Sequence, residues 1–318
     1  MVKLPPKAEK PTMYFIGVTT SESSINDVFP GWADAMNVDV QLVGIDMEIH
    51  ADPKDYRKVV DFIKNDELSY GALVTTHKID LMDACEDMFD YLDQHARIQG
   101  ELSCIAKKDG ELQGYAKDPI TSGKAMEAFV PNDFWKEHNG EVLILGAGGS
   151  ARAMSSYLLD PKKGENRPSK LIINNRSMPR LEKIEGVIDK FNDDIDVEFN
   201  LTPETEQNDE IVESLKPYSL VVNATGLGKD RPGSPLTDDC IFPKNSLVWE
   251  INYRGGLKFM HQALEQKEER DLYVEDGWIY FIYGWTEVIA EVFDVNIDNK
   301  MFKDIKKVAD DYRKERWG

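Results

Sequence analysis

The chain has 318 residues, enough for two domains of ordinary size, and 58 acidic against 38 basic side chains give it a formal charge of -20 at pH 7. Acid spread along the whole length excludes general attraction to nucleic-acid backbones or anionic lipid, while leaving room for a local basic pocket that holds a phosphorylated cofactor. No segment is apolar for the ~20 residues of a membrane span, and Cys85, Cys104 and Cys240 lie far apart in no metal-ligand spacing, so a cytoplasmic protein with reduced, buried thiols is expected.

Tyr14-Phe15-Ile16-Gly17-Val18 reads as a first strand ending in the polar turn Thr19 to Ser24. A second strand, Val40 to Ile45, leads through Pro53 into a helix near Lys54 to Lys64, and Tyr70 to Thr75 is a third strand. Strand, helix, strand is the rhythm of an α/β domain. Beyond Lys78, Leu81, Cys85, Met88, Phe89 and Leu92 recur at helical spacing. Leu102 to Ala106 and Glu111 to Tyr115 then form a hairpin around Asp109-Gly110, followed directly by Asp118 and a connecting helix from Thr121 to Val130.

The apolar strand Val142 to Leu145 runs into Gly146-Ala147-Gly148-Gly149-Ser150-Ala151, which satisfies G-x-G-x-x-A, and a helix follows to about Leu159. The first glycine permits the turn, and the second lets backbone approach a pyrophosphate. Ala151 keeps the helix close to the sheet while its N-terminus faces the phosphates. The next strand, Lys170 to Asn174, runs into Asn175-Arg176-Ser177, where a site for NAD would carry an acid for the ribose hydroxyls. Arg176 can instead pair with a 2′-phosphate and stack on adenine, with Asn175 and Ser177 as further donors, which selects NADP over NAD. Further strands are expected at Val197 to Phe199, Leu220 to Asn223 and Leu247 to Ile251, and Trp278 to Trp317 is mostly helical.

Lys78 follows the end of an expected strand, where open α/β sheets place ligands, and Asp118 is its candidate carboxylate partner. A lysine beside a carboxylate can donate a proton to an oxygen as hydride reaches its carbon; an isolated one is a solvated surface charge. The five histidines are scattered and imply no metal site, and His77 beside Lys78 reads as a packing or orienting residue.

Several ordered motifs together resemble the shikimate dehydrogenase family over almost the full length. They are Gly146 to Ala153 with Asn175-Arg176-Ser177, Thr75-Thr76-His77-Lys78, Gly100 to Ile105, Gly114 to Asp118, and Val222 to Gly228. The resemblance implies an NADP-dependent reduction of a cyclic keto acid such as 3-dehydroshikimate, with Lys78 protonating the incipient alkoxide and Asp118 orienting the substrate hydroxyl and the lysine. It implies that Ser21 and Ser23 hold the substrate carboxylate, although serines in this turn serve equally as helix caps. Thr75, Ser103 and Tyr253 join the substrate set, Tyr253 with a competing core role, and Asn223, Ala224, Thr225 and Gly277 join the cofactor set.

The departures fall on the substrate side. Ser103 stands in place of the family's asparagine, Ala116 and Lys117 replace an Asn-Thr pair, Val74 stands where a threonine aligns, and the glutamine expected near Gly284 is absent. Removing donors from a site built around hydroxyls weakens its discrimination, so the ring substrate can differ while the cofactor chemistry is kept. Quinate or another polyhydroxylated acid is the nearer alternative, and a non-catalytic sensor of NADP and a small acid the more distant one.

The fold expected is α/β: a substrate-binding catalytic domain over residues 1–122, a Rossmann-type NADP-binding domain over 123–276, and helices over 277–318 packing back on the first domain. The partner expected is a small cyclic hydroxy acid, with no nucleic acid and no membrane, and homodimerisation is left open.

Overall fold

A computed structural model of the chain describes residues 2–190, 194–229 and 231–317. It divides into two compact units, Met1–Lys117 with Gly284–Gly318, and Asp118–Tyr283.

The first unit begins with β1 (Thr12–Gly17), α1 (Ile25–Met36), β2 (Gln41–Asp46), α2 (Pro53–Asn65), β3 (Ser69–Val74) and α3 (Lys78–Cys85). It continues with β4 (Tyr91–Leu92), α4 (Gln94–Gln99) and the hairpin of β5 (Cys104–Lys108) and β6 (Glu111–Tyr115). The six strands lie in the order β2-β1-β3-β5-β6-β4, with β1 parallel to β2 and β3, and β5 antiparallel to both of its neighbours. Helix α2 shows how local chemistry sets an element: the Asp52 carboxylate accepts from the Lys54 backbone N–H, Pro53 starts the helix, and Tyr56, Val59, Val60 and Ile63 form its buried face.

Two parts of this unit differ from the sequence expectation. The turn at Thr19 to Ser24 leads into α1, whose buried Ile25, Val28, Phe29, Trp32, Ala33 and Met36 keep helical spacing despite Pro30 within the helix. The helical pattern after Lys78 does not run on to Leu92; α3 stops at Cys85, and Leu92 lies in β4 beside Gly114 of β6. Asp93 ends the helical register by starting a new helix: its Oδ1 accepts from Ala96 N at 2.7 Å and from Ala116 N at 3.1 Å.

The second unit contains α5 (Asp118–Glu127), α6 (Phe134–His138), β7 (Val142–Leu145), α7 (Gly149–Leu158), β8 (Lys170–Asn175), α8 (Met178–Ile188) and β9 (Asp196–Leu201). After these come α9 (Thr205–Ser214), β10 (Leu220–Asn223), β11 (Leu247–Glu250), α10 (Lys258–Glu265), α11 (Lys267–Arg270) and β12 (Tyr273–Glu275). Its six strands are all parallel, in the order β12-β11-β10-β7-β8-β9. Strands β7, β10 and β11 are buried at every position, as apolar runs must be when helices cover both faces of a parallel sheet. Chain order reverses between β7 and β10, the kind of switch point at whose C-terminal strand ends open α/β sheets bind their ligands.

The last helices are α12 (Trp278–Phe293), within which the boundary between the units falls, and α13 (Asn299–Trp317). In the first unit α13 lies on α1: the Trp32 indole N–H donates to the Ile305 carbonyl at 2.9 Å, and a Cβ on Gly31 would stand 2.7 Å from Val308. All three cysteines are buried and reduced.

Candidate functional site

In the second unit, β7 ends where Gly146 turns with φ +115, its N–H donating to the Asn174 carbonyl at 2.8 Å. Only glycine fits there: a Cβ would lie 2.5 Å from the Ala224 carbonyl oxygen. At Gly148, by contrast, a Cβ would meet nothing within 4 Å, so the backbone faces open space at the start of α7. Ala151 is fully buried against the core and Ala147 nearly so, whereas Gly149 and Ser150 are half-buried at the helix N-terminus. Backbone donors, a helix N-terminus and room where a side chain would stand form a cradle that fits a dinucleotide pyrophosphate.

Beside it, β8 ends in Asn175, whose side-chain amide donates to the Ser177 carbonyl at 3.1 Å. Ser177 starts α8 without a side-chain capping bond, and Arg176 is exposed. Arg180, which the sequence reading passed over, is also exposed in the first turn of α8; its signal was its spacing of four from Arg176, one helical turn.

On the other side of the switch, Asn223 Oδ1 accepts from Thr225 N at 3.1 Å and Thr225 Oγ1 at 2.7 Å. The Thr225 hydroxyl in turn accepts from Leu227 N at 3.1 Å. This fixes the Asn223 amide orientation, and its Nδ2 donates to Glu250 Oε2 at 2.6 Å. Gly277 N donates to the Asn252 carbonyl at 3.0 Å, and a Cβ at Gly277 would stand 2.0 Å from Ile251 O. Tyr253 is half-buried with its ring against Trp278 and Phe281, centroids 5.4 and 4.9 Å away.

In the first unit, β3 ends at Val74, Thr75 N donates to the Ile16 carbonyl at 3.0 Å, and Thr76 adopts φ +45. A β-branched residue in the left-handed region is strained by about 1–3 kcal/mol, and such strain concentrates where a backbone must aim a functional group. Two residues on, Lys78 opens α3, half-buried, and its carbonyl accepts from Leu102 N at 3.0 Å, which ties it to the segment carrying Ser103. His77 is buried with Nδ1 3.0 Å from the Tyr56 hydroxyl, and burial pushes its imidazole below the ordinary histidine range. It therefore packs as a neutral ring beside the lysine.

Ser21 lies exposed in a one-turn helix, Thr20–Glu22, after β1, and Ser23 follows it half-buried; neither is the residue preceding α1, which is Ser24 and makes no side-chain cap. Their backbone is held by Asn26, whose Nδ2 donates to the Thr20, Ser21 and Ser23 carbonyls at 2.9, 3.3 and 3.1 Å. The Thr20 hydroxyl and N–H anchor the turn on Asp46 at 2.6 and 2.8 Å.

Ser103 is buried, and its hydroxyl oxygen accepts from Lys117 N at 2.7 Å. The Lys117 ammonium binds Glu291, to which Lys108 also donates at 2.5 Å. Burial alone would raise the Glu291 carboxyl, but these lysines outweigh it and hold it below its ordinary range. Lys117 thus belongs to an ion cluster. Asp118 begins α5, its carbonyl accepting from the Thr121 and Ser122 hydroxyls at 3.1 and 2.8 Å. Among the described residues no group of three or more His, Cys, Asp or Glu side chains is placed to hold a metal, and no helix is long and apolar enough to cross a membrane.

No family model matches the chain. It is 27% identical over 216 residues to the shikimate dehydrogenase (NADP(+)) of Nitrosopumilus maritimus, covering 67% of this chain and 71% of that protein. Its fold matches the shikimate 5-dehydrogenase of Listeria monocytogenes, solved with shikimate and NAD, at a TM-score of 0.73 and 18% identity over 96% of this chain and 99% of that one. A quinate dehydrogenase from Corynebacterium glutamicum in complex with NAD matches equally, at a TM-score of 0.73 and 18% identity over 94% and 99% of the two chains. These likenesses carry the two-unit α/β fold and its Rossmann-type sheet.

Proposed function

Taking the chain as shikimate dehydrogenase-like in sequence and in fold, we propose that it is an NADP-dependent oxidoreductase interconverting a ring hydroxyl and a ketone on a small cyclic hydroxy acid, 3-dehydroshikimate and shikimate being the leading pair. The observation that carries this reading is the β7–Gly146–Gly148–α7 turn at the switch of an all-parallel sheet, with open space at Gly148 where a pyrophosphate would lie. In this reading residues 1–122 bind the acid, residues 123–276 bind NADP and residues 277–318 pack back on the first domain, in the cytoplasm.

When bound, NADPH supplies the hydride. The chain's own part is to place and charge the substrate oxygen. Lys78 donates a hydrogen bond to the keto oxygen, stabilises the negative charge that develops there and gives up a proton to it. Asp118 accepts from a neighbouring substrate hydroxyl and keeps the lysine ammonium directed. Ser21 and Ser23, on a turn fixed by Asn26 and Asp46, donate to the substrate carboxylate, and Thr75, Ser103 and Tyr253 complete the substrate set.

Asn175, Arg176 and Ser177, with Arg180 a turn further, recognise the 2′-phosphate, and Ala147, Gly149, Ser150, Asn223, Ala224, Thr225 and Gly277 complete the cofactor set. Replacing Arg176 by Ala is expected to weaken NADP+ binding by about 10- to 100-fold, the worth of one charge-assisted contact, and NAD+ binding, which loses only the stacking on adenine, by about fivefold at most. Calorimetric titration with both dinucleotides checks it, and an equal loss for both would remove the 2′-phosphate assignment.

A related polyhydroxy acid such as quinate is the second reading. It is favoured by Gly284, where a Cβ would meet nothing within 4 Å, and by Ser103, whose hydroxyl oxygen is already engaged by Lys117 N. The deciding experiment follows reduced nicotinamide by absorbance while shikimate, quinate and related hydroxy acids are offered with NADP+ and with NAD+. Turnover of at least one acid with NADP+ is expected. Binding of NADP and acid with no turnover of any would make the protein a sensor and end the enzyme reading.

A further inference from the structure

The parallel register of β10 and β11 sets Asn223 directly opposite Glu250, the last residue of β11 and fully buried. Its carboxylate accepts from Asn223 Nδ2 at 2.6 Å, from Asn252 N at 2.9 Å and from Asn252 Nδ2 at 2.6 Å. All three donors are neutral amides. The same two asparagines hold the loop that follows β10, because Asn223 and Asn252 each donate to the Leu227 carbonyl at 3.3 Å. Nothing in the pairing of an NADP turn with a catalytic lysine requires an acid here.

Its place in the sheet gives it a role. The phosphate turn lies at the switch between β7 and β10, and Asn175 to Ser177 at the end of β8 take the adenosine side. The other half of a bound dinucleotide, with the nicotinamide, extends over the ends of β10 and β11, which are Asn223 and Glu250. Resting on the NADP reading above, we propose that Glu250 is a positioning and selecting residue of the nucleotide site: it fixes the Asn223–Gly228 loop through Asn223 and Asn252, and its negative charge favours the cationic oxidised nicotinamide over the neutral reduced one.

Burial pushes the Glu250 carboxyl up to about 7, against the pull of its three hydrogen bonds, and Asp276 just past β12 acts in the same upward direction. Among the described residues Asn223 from β10 and Asn252 after β11 donate to it, and neither titrates. The sign follows. Below about pH 7 the group is protonated and the preference fades; above it the anion is present and the preference is full. The 2′-phosphate titrates in both cofactor forms, so it cancels in the ratio of their affinities.

The test measures dissociation constants of NADP+ and NADPH by titration of the intact protein without substrate, from about pH 6 to about pH 8.5. For the natural chain, affinity for NADP+ relative to NADPH should rise by about tenfold across that range, and Glu250→Gln should flatten the rise while still binding NADPH. A flat ratio in the natural chain overturns the proposal, as does an undiminished rise in a folded Glu250→Gln. If Glu250→Gln does not fold, the natural chain's pH series and the shifted midpoint expected of Glu250→Asp decide the matter. Failure of both cofactor forms to bind would overturn the NADP reading itself and this inference with it, an outcome distinct from a flat ratio with tight binding.

Discussion

Replacing Lys78 by Ala is expected to lower kcat by about 10²- to 10⁴-fold, the range that a positioned general acid supplies. NADP+ affinity should stay within about twofold, because the phosphate turn belongs to the other unit and shares no residue with α3. The fold should hold: Lys78 is half-buried at the first position of a helix, and alanine is well tolerated there. Lys78→Arg sharpens the test. Arginine keeps the positive charge and can hydrogen-bond an oxygen, but it does not release its proton near neutral pH, so substrate binding should survive better than turnover. Steady-state kinetics beside cofactor titration reads both effects. If Lys78→Ala lost cofactor binding and turnover equally, or left kcat intact, the lysine would not be the proton donor.

How much of this was legible in the sequence depends on how local each signal was. Val142 to Leu145 and Leu220 to Asn223 announce buried parallel strands by composition alone, and the glycines after the first of them carry their backbone requirement on their face. Helix α1 was missed because Pro30 and Gly31 interrupt a pattern whose apolar residues are nonetheless spaced for a helix, and the partner that needs Gly31 small, Val308, lies far away in the chain. Strand β12 has three residues and is recruited by pairing with β11, a nonlocal event with no local period. The acid at Glu250 illustrates the same limit at the site. Nothing in Trp249-Glu250-Ile251-Asn252 separates a surface carboxylate from a buried one until the register with β10 puts Asn223 against it. Lys117 shows the converse: the sequence marks it as a departure in a substrate motif, and only the fold reveals that its ammonium is paired with Glu291, a carboxylate it shares with Lys108.

Gly146→Val is expected to abolish measurable NADP+ binding and to lower the melting temperature, whereas Gly148→Ala should abolish binding with the melting temperature unchanged. The two positions differ in what surrounds them. Gly146 has φ +115, where a β-branched residue is strained by about 1–3 kcal/mol, and its Cβ would press on the Ala224 carbonyl at 2.5 Å. Relieving that contact means separating the phosphate turn from the loop that begins at Asn223, so both halves of the nucleotide site shift together. Gly148 has φ -91, which alanine adopts without strain, and a Cβ there meets no protein atom within 4 Å. The folded chain should accept the methyl group. It would then stand before the N-terminus of α7, in the space through which backbone approaches the pyrophosphate. Thermal melts with and without NADP+ separate the cases: natural protein gains stability on adding cofactor through mass action, and Gly148→Ala should melt at the cofactor-free temperature in both conditions. A Gly148→Ala chain that still gained stability from NADP+ would mean that the pyrophosphate does not lie on this turn, and the open space beside it would need another occupant.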